Sequence, residues 1–244
     1  MKPSEIQTNE TLQFILESIP SQKLRILEVG CGRGALAQQL QNLGHEVIAL
    51  DSSSQAIEAA KLLGIDARVA NYPDFAANPF DVILFTRSLH HIRPLKPAVD
   101  QAYQLLKPVG LLVVEDFAFN DTGEYSAIWF YRLLRLLESC NALLSAEHSF
   151  GRKLLTGNGE LSLWRKHVHE INTAQEVLQA IDEHFEILQT KSAPYLYRYV
   201  SDMVSPDEQG GQIIASVLGL EKQTGVESEG FLIGRRFVAR RRSY

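Results

Sequence analysis

The chain has 244 residues, of which 45% are hydrophobic and 22% charged, and this composition is typical of a globular domain and argues against disorder. A formal net charge of −5 argues against a surface that coats nucleic acid. Residues 1–14 lack the apolar core of a signal peptide, and no stretch reaches the roughly 18 uncharged apolar residues of a membrane span. Two isolated cysteines, Cys31 and Cys140, exclude a disulfide scaffold, so we expect a cytoplasmic protein.

The first half of the chain predicts strands that alternate with helices. Residues 1–22 are predicted to form an N-terminal helical segment. Short apolar runs predict five strands, at residues 24–29, 46–50, 66–70, 80–85 and 110–117. Leucine and alanine at helical spacing predict helices after the first, second and fourth of them. This alternation predicts an α/β fold with a doubly wound parallel sheet, helices on both faces and a ligand crevice at the carboxyl ends of the strands.

After residue 117 this alternation stops. Residues 124–146 predict one long, largely apolar helix, and residues 147–170 look like a loop. We interpret residues 117–170 as a helical insertion or lid on the substrate side. Further elements are predicted in the rest of the chain: a helix at 173–183, a strand at 185–190, a helix at 207–222 and a strand at 230–239. Between them, Tyr195, Tyr197 and Tyr199 alternate as one face of a strand would.

A glycine turn follows the first predicted strand, in the segment ILEVGCGRGAL at residues 26–36. Its pattern also fits a dinucleotide fingerprint, because Asp51 follows Gly30 by 21 residues, near the spacing of an acid that binds an adenosine ribose. However, Glu28 lies beside the turn, where a carboxylate would repel a pyrophosphate and suit a cation or an amine. Asn71 follows the third strand, where an amide can bind an adenine edge. Both cofactor classes stay open on this pattern alone.

Four segments in order carry a more specific signal: ILEVGCGRG, VIALDSSSQAIEAA, FDVILFTRSLHHI and LLKPVGLLVVEDF. Together they resemble the class I S-adenosylmethionine-dependent methyltransferases, in particular the small-molecule subgroup that includes quinone-biosynthesis enzymes. The resemblance covers residues 24–117. It implies a Rossmann-like seven-stranded sheet whose last strand is antiparallel, with the strands at 185–190 and 230–239 as the sixth and seventh, and a single methyltransferase domain over residues 1–244.

The resemblance also implies S-adenosyl-L-methionine as cofactor and S-adenosyl-L-homocysteine as product. Asp51 would bind the ribose hydroxyls, Asn71 the adenine amine, and Arg87 would face the methionine part. The predicted cofactor-binding set is Glu28, Gly30, Cys31, Gly32, Gly34, Asp51, Ser52, Asn71, Tyr72, Thr86 and Arg87. The family usually has Asp where Asn71 stands and a bulky apolar residue where Ser52 stands, so Leu89 or Tyr72 is expected to pack on the adenine.

No residue is singled out as the catalyst, since the cofactor's methyl group is already electrophilic and orientation does much of the work. His90 and His91 are weak candidates for a base, and the reading that they shape the cofactor pocket is favoured. The weak substrate candidates are Tyr125, Trp129 and His148. No metal site is predicted, because His148, His167 and His169 lack a carboxylate or cysteine at a recognised spacing.

The sequence therefore predicts a methyltransferase for a small, partly apolar molecule. The alternatives are an RNA- or protein-directed methyltransferase, an NAD(P)-dependent oxidoreductase, and a cofactor-binding protein without transfer activity. Arginines at 235, 236 and 240–242 are the only support for a nucleic-acid partner, and a solvated strand end is the favoured reading. No membrane partner is expected. The acceptor atom and the oligomeric state are not predicted.

Overall fold

The computed structural model describes residues 1–145, 147–157, 159, 161–166 and 171–242. The strands are β1 Arg25–Val29, β2 Glu46–Asp51, β3 Asp66–Val69, β4 Phe80–Thr86, β5 Leu106–Phe117, β6 Phe185–Ala193 and β7 Gly234–Arg241. The helices are α1 Pro3–Ser18, α2 Ala35–Asn42, α3 Ser54–Lys61, α4 Leu95–Leu105, α5 Glu124–Ser139, α6 Phe150–Thr156, α7 Leu161–Lys166, α8 Ala174–Asp182, α9 Leu196–Ser201 and α10 Glu208–Glu227.

The strands form one sheet in the order β3-β2-β1-β4-β5-β7-β6. Strands β1 to β5 pair in parallel, and the last strand is antiparallel, which confirms the predicted fold class. In the register of the sheet, Glu28 lies opposite Ala49 and Leu84, and Thr86 lies opposite Glu115. The strand order reverses on either side of β1 and β4, and in such sheets the crevice for a ligand lies there, at the carboxyl ends of the strands.

The chain divides into two compact units. The sheet unit comprises the described residues of Glu10–Asp116, Ile171–Lys191 and Arg235–Tyr244. Its core is made by apolar side chains of β1, β2 and β4 packed against helices, as parallel strands covered on both faces require. The helical unit comprises the described residues of Met1–Asn9, Phe117–Glu170 and Ser192–Gly234. Its own core is aromatic, and Trp164, Phe130, Phe231 and Tyr197 are fully buried in it.

Three predictions in the helical unit were wrong. The long helix ends at Ser139 rather than near residue 146, and Asn141 just beyond it has a left-handed backbone, with φ of 54°. The described part of 147–170 is not a loop, because α6 begins at a Ser149 cap and α7 buries Trp164. The alternating tyrosines do not form a strand, because Tyr197 and Tyr199 belong to helix α9 and Tyr195 is its N-cap residue. His167 and His169 lie outside the described residues.

Candidate functional site

A cavity of about 520 Å³ lies in the sheet unit, next to the carboxyl ends of β1, β2, β3 and β4. It is lined by Val29, Gly30, Leu50, Asp51, Ser52, Ala70, Asn71, Tyr72, Arg87, Ser88, His91, Ile92 and Arg93. These residues come from the ends of four neighbouring strands and the loops that follow them. The cavity therefore lies where a parallel sheet with this strand order is expected to bind a ligand.

The glycine turn forms one wall of the cavity. The N–H groups of Gly30 and Cys31 both donate to the carbonyl oxygen of Leu50, each at 2.8 Å, which joins the turn to the end of β2. Gly30 has φ of 79°, and a Cβ atom at this position would lie 2.4 Å from the Cβ of Ser88. Only glycine fits both the left-handed backbone and this close approach. At Gly30 the cavity wall is therefore formed by backbone atoms and not by a side chain.

The carboxylate of Asp51 is bonded to the same turn. Its Oδ2 accepts the N–H of Gly32 at 2.8 Å, and its Oδ1 accepts the N–H of Ser53 at 2.9 Å. Ser53 in turn caps α3, because its hydroxyl accepts the N–H of Ala56. Each carboxylate oxygen keeps further acceptor capacity. Asp51 therefore orders the glycine turn and also presents an acceptor in the cavity wall, as its predicted role at a ribose requires.

Glu28 is a buried carboxylate behind the turn. It is 2% exposed, and burial raises its pKa to about 7. The hydroxyl of Thr86 donates to Oε1 at 3.4 Å, whereas Oε2 has no partner within hydrogen-bond geometry among the described residues. The Arg87 guanidinium, the Thr86 hydroxyl and the backbone N–H of Ala37 offset part of the rise in the pKa. Glu28 does not line the cavity, although Val29 and Gly30 next to it do. A buried carboxylate oxygen without a donor favours a positive group nearby and disfavours a negative one.

Two residues after β3 form another part of the wall. Asn71 is exposed, and Tyr72 packs edge-on against Phe85 with ring centroids 5.4 Å apart. Burial raises the pKa of the Tyr72 hydroxyl, so it stays protonated at neutral pH.

Burial also raises the pKa of the Cys31 thiol in the glycine turn, to about 12, so this thiol is no nucleophile at neutral pH.

Arg87 follows β4 and is held by Glu115. The Arg87 N–H donates to the Glu115 carbonyl oxygen at 2.6 Å, and its Nη1 donates to Glu115 Oε2 at 3.0 Å. The same Oε2 accepts the hydroxyl of Thr11 at 2.6 Å, while Oε1 accepts Arg236 Nε at 2.9 Å and Nη2 at 2.7 Å. The side chains of Glu115 and Arg236 are buried, so this network fixes one nitrogen of the Arg87 guanidinium.

The two histidines have different environments. His90 is buried. Its backbone N–H donates to Asp116 Oδ2 at 3.1 Å, and its ring Nδ1 lies 2.6 Å from Asp116 Oδ1. His91 is exposed and lines the cavity. Partial burial and the neighbouring His90 ring lower the pKa of His91, so it is neutral at pH 7. The geometry thus gives His90 a structural position and leaves His91 as the histidine that can meet a ligand.

The turn that carries both histidines is fastened by Asn172. The Asn172 side-chain amide donates to the carbonyl oxygens of Leu89 at 3.0 Å and Ile92 at 2.9 Å. The backbone N–H of Asn172 donates to the carbonyl oxygen of His90 at 2.8 Å. Asn172 is 83 residues away from Leu89 along the chain, and nothing local in the sequence predicted this contact.

The structure brings together only part of the predicted cofactor set. Six members line the cavity: Gly30, Asp51, Ser52, Asn71, Tyr72 and Arg87. The others do not: Glu28, Cys31, Gly32, Gly34 and Thr86. Sequence reasoning did not name these lining residues: Val29, Leu50, Ala70, Ser88, Ile92 and Arg93. All of them except Arg93 lie at or just past the end of a predicted strand or next to a predicted site residue, and their position is the signal that could have found them.

The predicted substrate residues do not share one place. Tyr125 and Trp129 line an apolar cavity of about 310 Å³ in the helical unit, together with Ile128 and Leu220. His148 lines a separate depression with Asp202.

In the described ranges, the structure has no cluster of His, Cys, Asp and Glu that could hold a metal ion. None of the helices in those ranges is both long and apolar enough to cross a membrane.

A protein-family profile described as "Methyltransferase domain" matches residues 6–155. The chain belongs to this family. A ubiquinone biosynthesis O-methyltransferase from Xylella fastidiosa is 34% identical over 122 residues, which cover 46% of this chain and 50% of the relative. The chain thus matches only about half the length of the curated relatives.

Solved structures share the fold of this methyltransferase-family chain. The N-methyltransferase NodS from Bradyrhizobium japonicum, in complex with S-adenosyl-L-homocysteine, has a TM-score of 0.56 and 14% identity, over 96% of this chain and 87% of that one. An S-adenosylmethionine-dependent methyltransferase from Mesorhizobium loti has a TM-score of 0.56 and 17% identity, over 94% of this chain and 96% of that one. At these identities the likeness concerns the fold alone.

Proposed function

We propose that the protein is an S-adenosyl-L-methionine-dependent methyltransferase that methylates an oxygen atom of a small, partly apolar molecule. The observation that carries the proposal is the cavity in which the glycine turn, Asp51 and Asn71 meet at the ends of neighbouring strands, in a chain of the methyltransferase family. The oxygen acceptor is taken from the O-methyltransferase relatives, so we propose a hydroxyl group of a quinone precursor.

The site residues fit this cofactor better than a dinucleotide. Glu28 Oε2 is buried and has no donor among the described residues, so a cationic sulfonium or ammonium group near it is favoured. A pyrophosphate at the same turn would face the carboxylate of Asp51, with the Glu28 carboxyl group buried just behind the cavity wall. The bound cofactor would supply a methyl group that is electrophilic without further activation. In this proposal, Asp51 binds the ribose and Asn71 the adenine.

The acceptor hydroxyl must be oriented and must lose its proton. Orientation of the two reactants alone can supply about 7–11 kcal/mol of the barrier. His91 lines the cavity, and its lowered pKa keeps it neutral at pH 7, so we propose that it accepts the proton. We also propose that residues 117–170 belong to the substrate side of one methyltransferase domain, with Tyr125 and Trp129 as apolar contacts. A cytoplasmic location is part of the same proposal.

A ligand panel tests the proposal. The unfolding temperature of the protein is measured alone and with S-adenosylmethionine, S-adenosylhomocysteine, NADH or NADPH. A ligand at about 100 times its Kd should stabilise the fold by about 2.7 kcal/mol. We expect this effect with the first two compounds only. A shift with NADH and none with S-adenosylhomocysteine would overturn the proposal.

A transfer assay then tests the acceptor class. Purified protein is incubated with S-adenosylmethionine and either a catechol or an aromatic amine of the same size, and the products are separated by mass spectrometry. We expect methylation of the catechol only, with loss of activity in His91→Gln that is recovered at high pH, where the phenol ionises without a base. Methylation of the amine alone would contradict the oxygen acceptor.

A further inference from the structure

Arg93 lies in the wall of the cavity without a partner in the described part of the chain. It is exposed, and it forms neither a hydrogen bond nor an ion pair with any described residue. Hydrogen bonds from Thr173 lower the pKa of Glu176, and the charge of Arg93 lowers it further without an ion pair. An exposed arginine is ordinary on an open surface, where water satisfies it. In a cavity wall, the same guanidinium meets the ligand that fills the cavity.

Arg87, the other arginine in the wall, differs because the protein holds it. Its Nη1 donates to Glu115 Oε2 at 3.0 Å and to the Thr11 hydroxyl at 3.2 Å. The resemblance to the methyltransferases places this side chain at the methionine part of the cofactor. Arg93 has no place among those predicted cofactor contacts. It is therefore the cation in the wall that neither the described protein nor the predicted cofactor contacts use.

The charges in the cavity do not balance once the cofactor is bound. Of the described residues that line the cavity, Asp51 is the only one with a carboxylate, whereas Arg87 and Arg93 both carry guanidinium groups. S-Adenosylmethionine has a sulfonium and an ammonium group against a single carboxylate, so it adds a net positive charge. Positive charges in a confined site repel each other unless an anion lies between them. The acceptor is the component of the reaction that can supply this anion.

The segment that presents Arg93 also presents His91, the proposed proton acceptor. Both residues line the cavity. Asn172 donates to the carbonyl oxygens of Leu89 and Ile92, which fixes the backbone of this segment. The Cα atoms of residues 91 and 93 can lie at most about 7 Å apart. A base and a cation at this spacing match an aromatic ring with a hydroxyl group at one end and a carboxylate at the other.

We propose that the acceptor is a hydroxylated aromatic carboxylate, whose carboxylate Arg93 binds while its hydroxyl group faces His91. This inference rests on the proposed function and names its substrate class. Arginine suits the role because both oxygens of a carboxylate can accept from the guanidinium fork. Two fixed points, one at each end of the ring, orient the hydroxyl oxygen toward the methyl group, and orientation lowers the barrier. Arg93 is thus a specificity-determining residue.

Two acceptors of the same shape separate the carboxylate from the ring. 3,4-Dihydroxybenzoate carries the charge, and 3,4-dihydroxybenzamide has a neutral amide in its place. The Kd of each is measured by calorimetry in saturating S-adenosylhomocysteine, for the wild type, Arg93→Gln, Arg93→Lys and Lys96→Gln. Lys96 is the matched control, because it is an exposed cation nearby that bonds to Glu183 and does not line the cavity. Far-UV circular dichroism checks that each variant is folded.

We expect the wild type to bind the benzoate about tenfold more tightly than the benzamide, as for one partly exposed charged pair. Arg93→Gln should abolish this preference by weakening the benzoate. Arg93→Lys should keep part of it, because the charge remains and the fork is lost. Lys96→Gln should keep the wild-type ratio, although it changes the net charge by the same amount. The ratio of kcat/KM for the two acceptors with S-adenosylmethionine should follow the same order.

The outcomes distinguish this substrate class from the proposed function. Wild-type protein that binds no S-adenosylhomocysteine would overturn the proposed function. Binding of S-adenosylhomocysteine with equal affinity for the two acceptors, or with neither acceptor bound, would overturn the substrate class alone.

The variants test the role of Arg93 itself. A preference for the benzoate that persists in Arg93→Gln, or that falls equally in Lys96→Gln, would overturn this role, because another group or the net charge would then attract the carboxylate. An exposed ion pair is screened by salt. If Arg93→Gln does not fold, a wild-type preference that stays unchanged between about 0.05 and 0.5 M salt overturns the role instead.

Discussion

Gly32 donates its backbone N–H to Asp51 Oδ2 at 2.8 Å, so the glycine turn after β1 and the acid at the end of β2 are one bonded unit. In the sequence, the glycine turn and Asp51 are related only by their spacing, which does not show that they are bonded to each other. The bond gives Asp51 two tasks, because the same carboxylate shapes the turn and lines the cavity. A substitution at Asp51 therefore changes the hydrogen bonding of the turn as well as the cavity wall that a ligand would contact.

Asp51→Ala should weaken S-adenosylhomocysteine by about 30-fold or more, equivalent to about 2 kcal/mol, since it removes a ligand acceptor and frees two backbone N–H groups. Asp51→Asn keeps one acceptor oxygen and should lose less. Calorimetric titration of both variants measures the effect, with Asp66→Ala on the exposed part of β3 as control. Wild-type affinity in Asp51→Ala would show that the ribose lies elsewhere.

Gly30→Ala should destabilise the fold more than Gly44→Ala. Both glycines have positive φ, at 79° and 95°, so alanine is strained by about 1–2 kcal/mol at each. At Gly30 the new Cβ also meets the Ser88 Cβ at 2.4 Å, whereas at Gly44 nothing lies within 4 Å. The free energy of unfolding in urea measures the difference. Equal losses in the two variants would contradict the close approach of Ser88 to the turn.

The sequence predicted the part of this molecule that is set locally. Buried parallel strands are short apolar runs, so β1 to β5 and the polar residues at their ends were recognisable. The parts that were missed depend on distant partners. Glu115 and Arg236 are 121 residues apart, and no local pattern announces that they hold Arg87.

Helix α9 shows the same limit on a smaller scale. Its tyrosines alternate like a strand, but the Glu221 carboxylate, 24 to 26 residues further along, accepts the N–H groups of Tyr195, Leu196 and Tyr197 at 2.7–3.0 Å. These donors are the ones that a helix start leaves without partners. The contact with Glu221 thus stabilises the start of a helix in a segment whose alternating tyrosines had predicted a strand.

The pKa of Glu28 predicts how stability depends on pH. Because the folded pKa is about 7 and the ordinary value is 4.5, the folded chain binds more protons than the unfolded chain between these values. The contribution of Glu28 to stability is therefore present at low pH and is lost as the pH rises from 4.5 to 7. Glu28→Gln should flatten the stability profile in this window. Urea unfolding at a series of pH values measures it, and an unchanged slope in the variant would contradict the buried, donor-poor carboxylate.

Glu221→Gln should destabilise the helical unit. An amide has one acceptor oxygen, so at least one of the three N–H groups at the start of α9 loses its partner in the interior, at a cost of about 1–3 kcal/mol. Glu227→Gln, at an exposed position of α10, the helix that also carries Glu221, is the control and should be neutral. Thermal unfolding compares the two. A neutral Glu221→Gln would mean that water satisfies these groups.

Asn172→Ala should loosen the turn that carries His91. It removes two side-chain hydrogen bonds, to the carbonyl oxygens of Leu89 and Ile92, and should cost about 1–3 kcal/mol. Asn172→Asp should be worse, because a carboxylate would face two carbonyl oxygens. As the turn opens, the lowered pKa of His91 should move toward its ordinary value of 6.5, which NMR titration of the imidazole detects. Asn120→Ala, at an exposed position, is the control. A destabilised Asn172→Ala whose His91 titrates as in the wild type would show that Asn172 supports the fold but does not position His91.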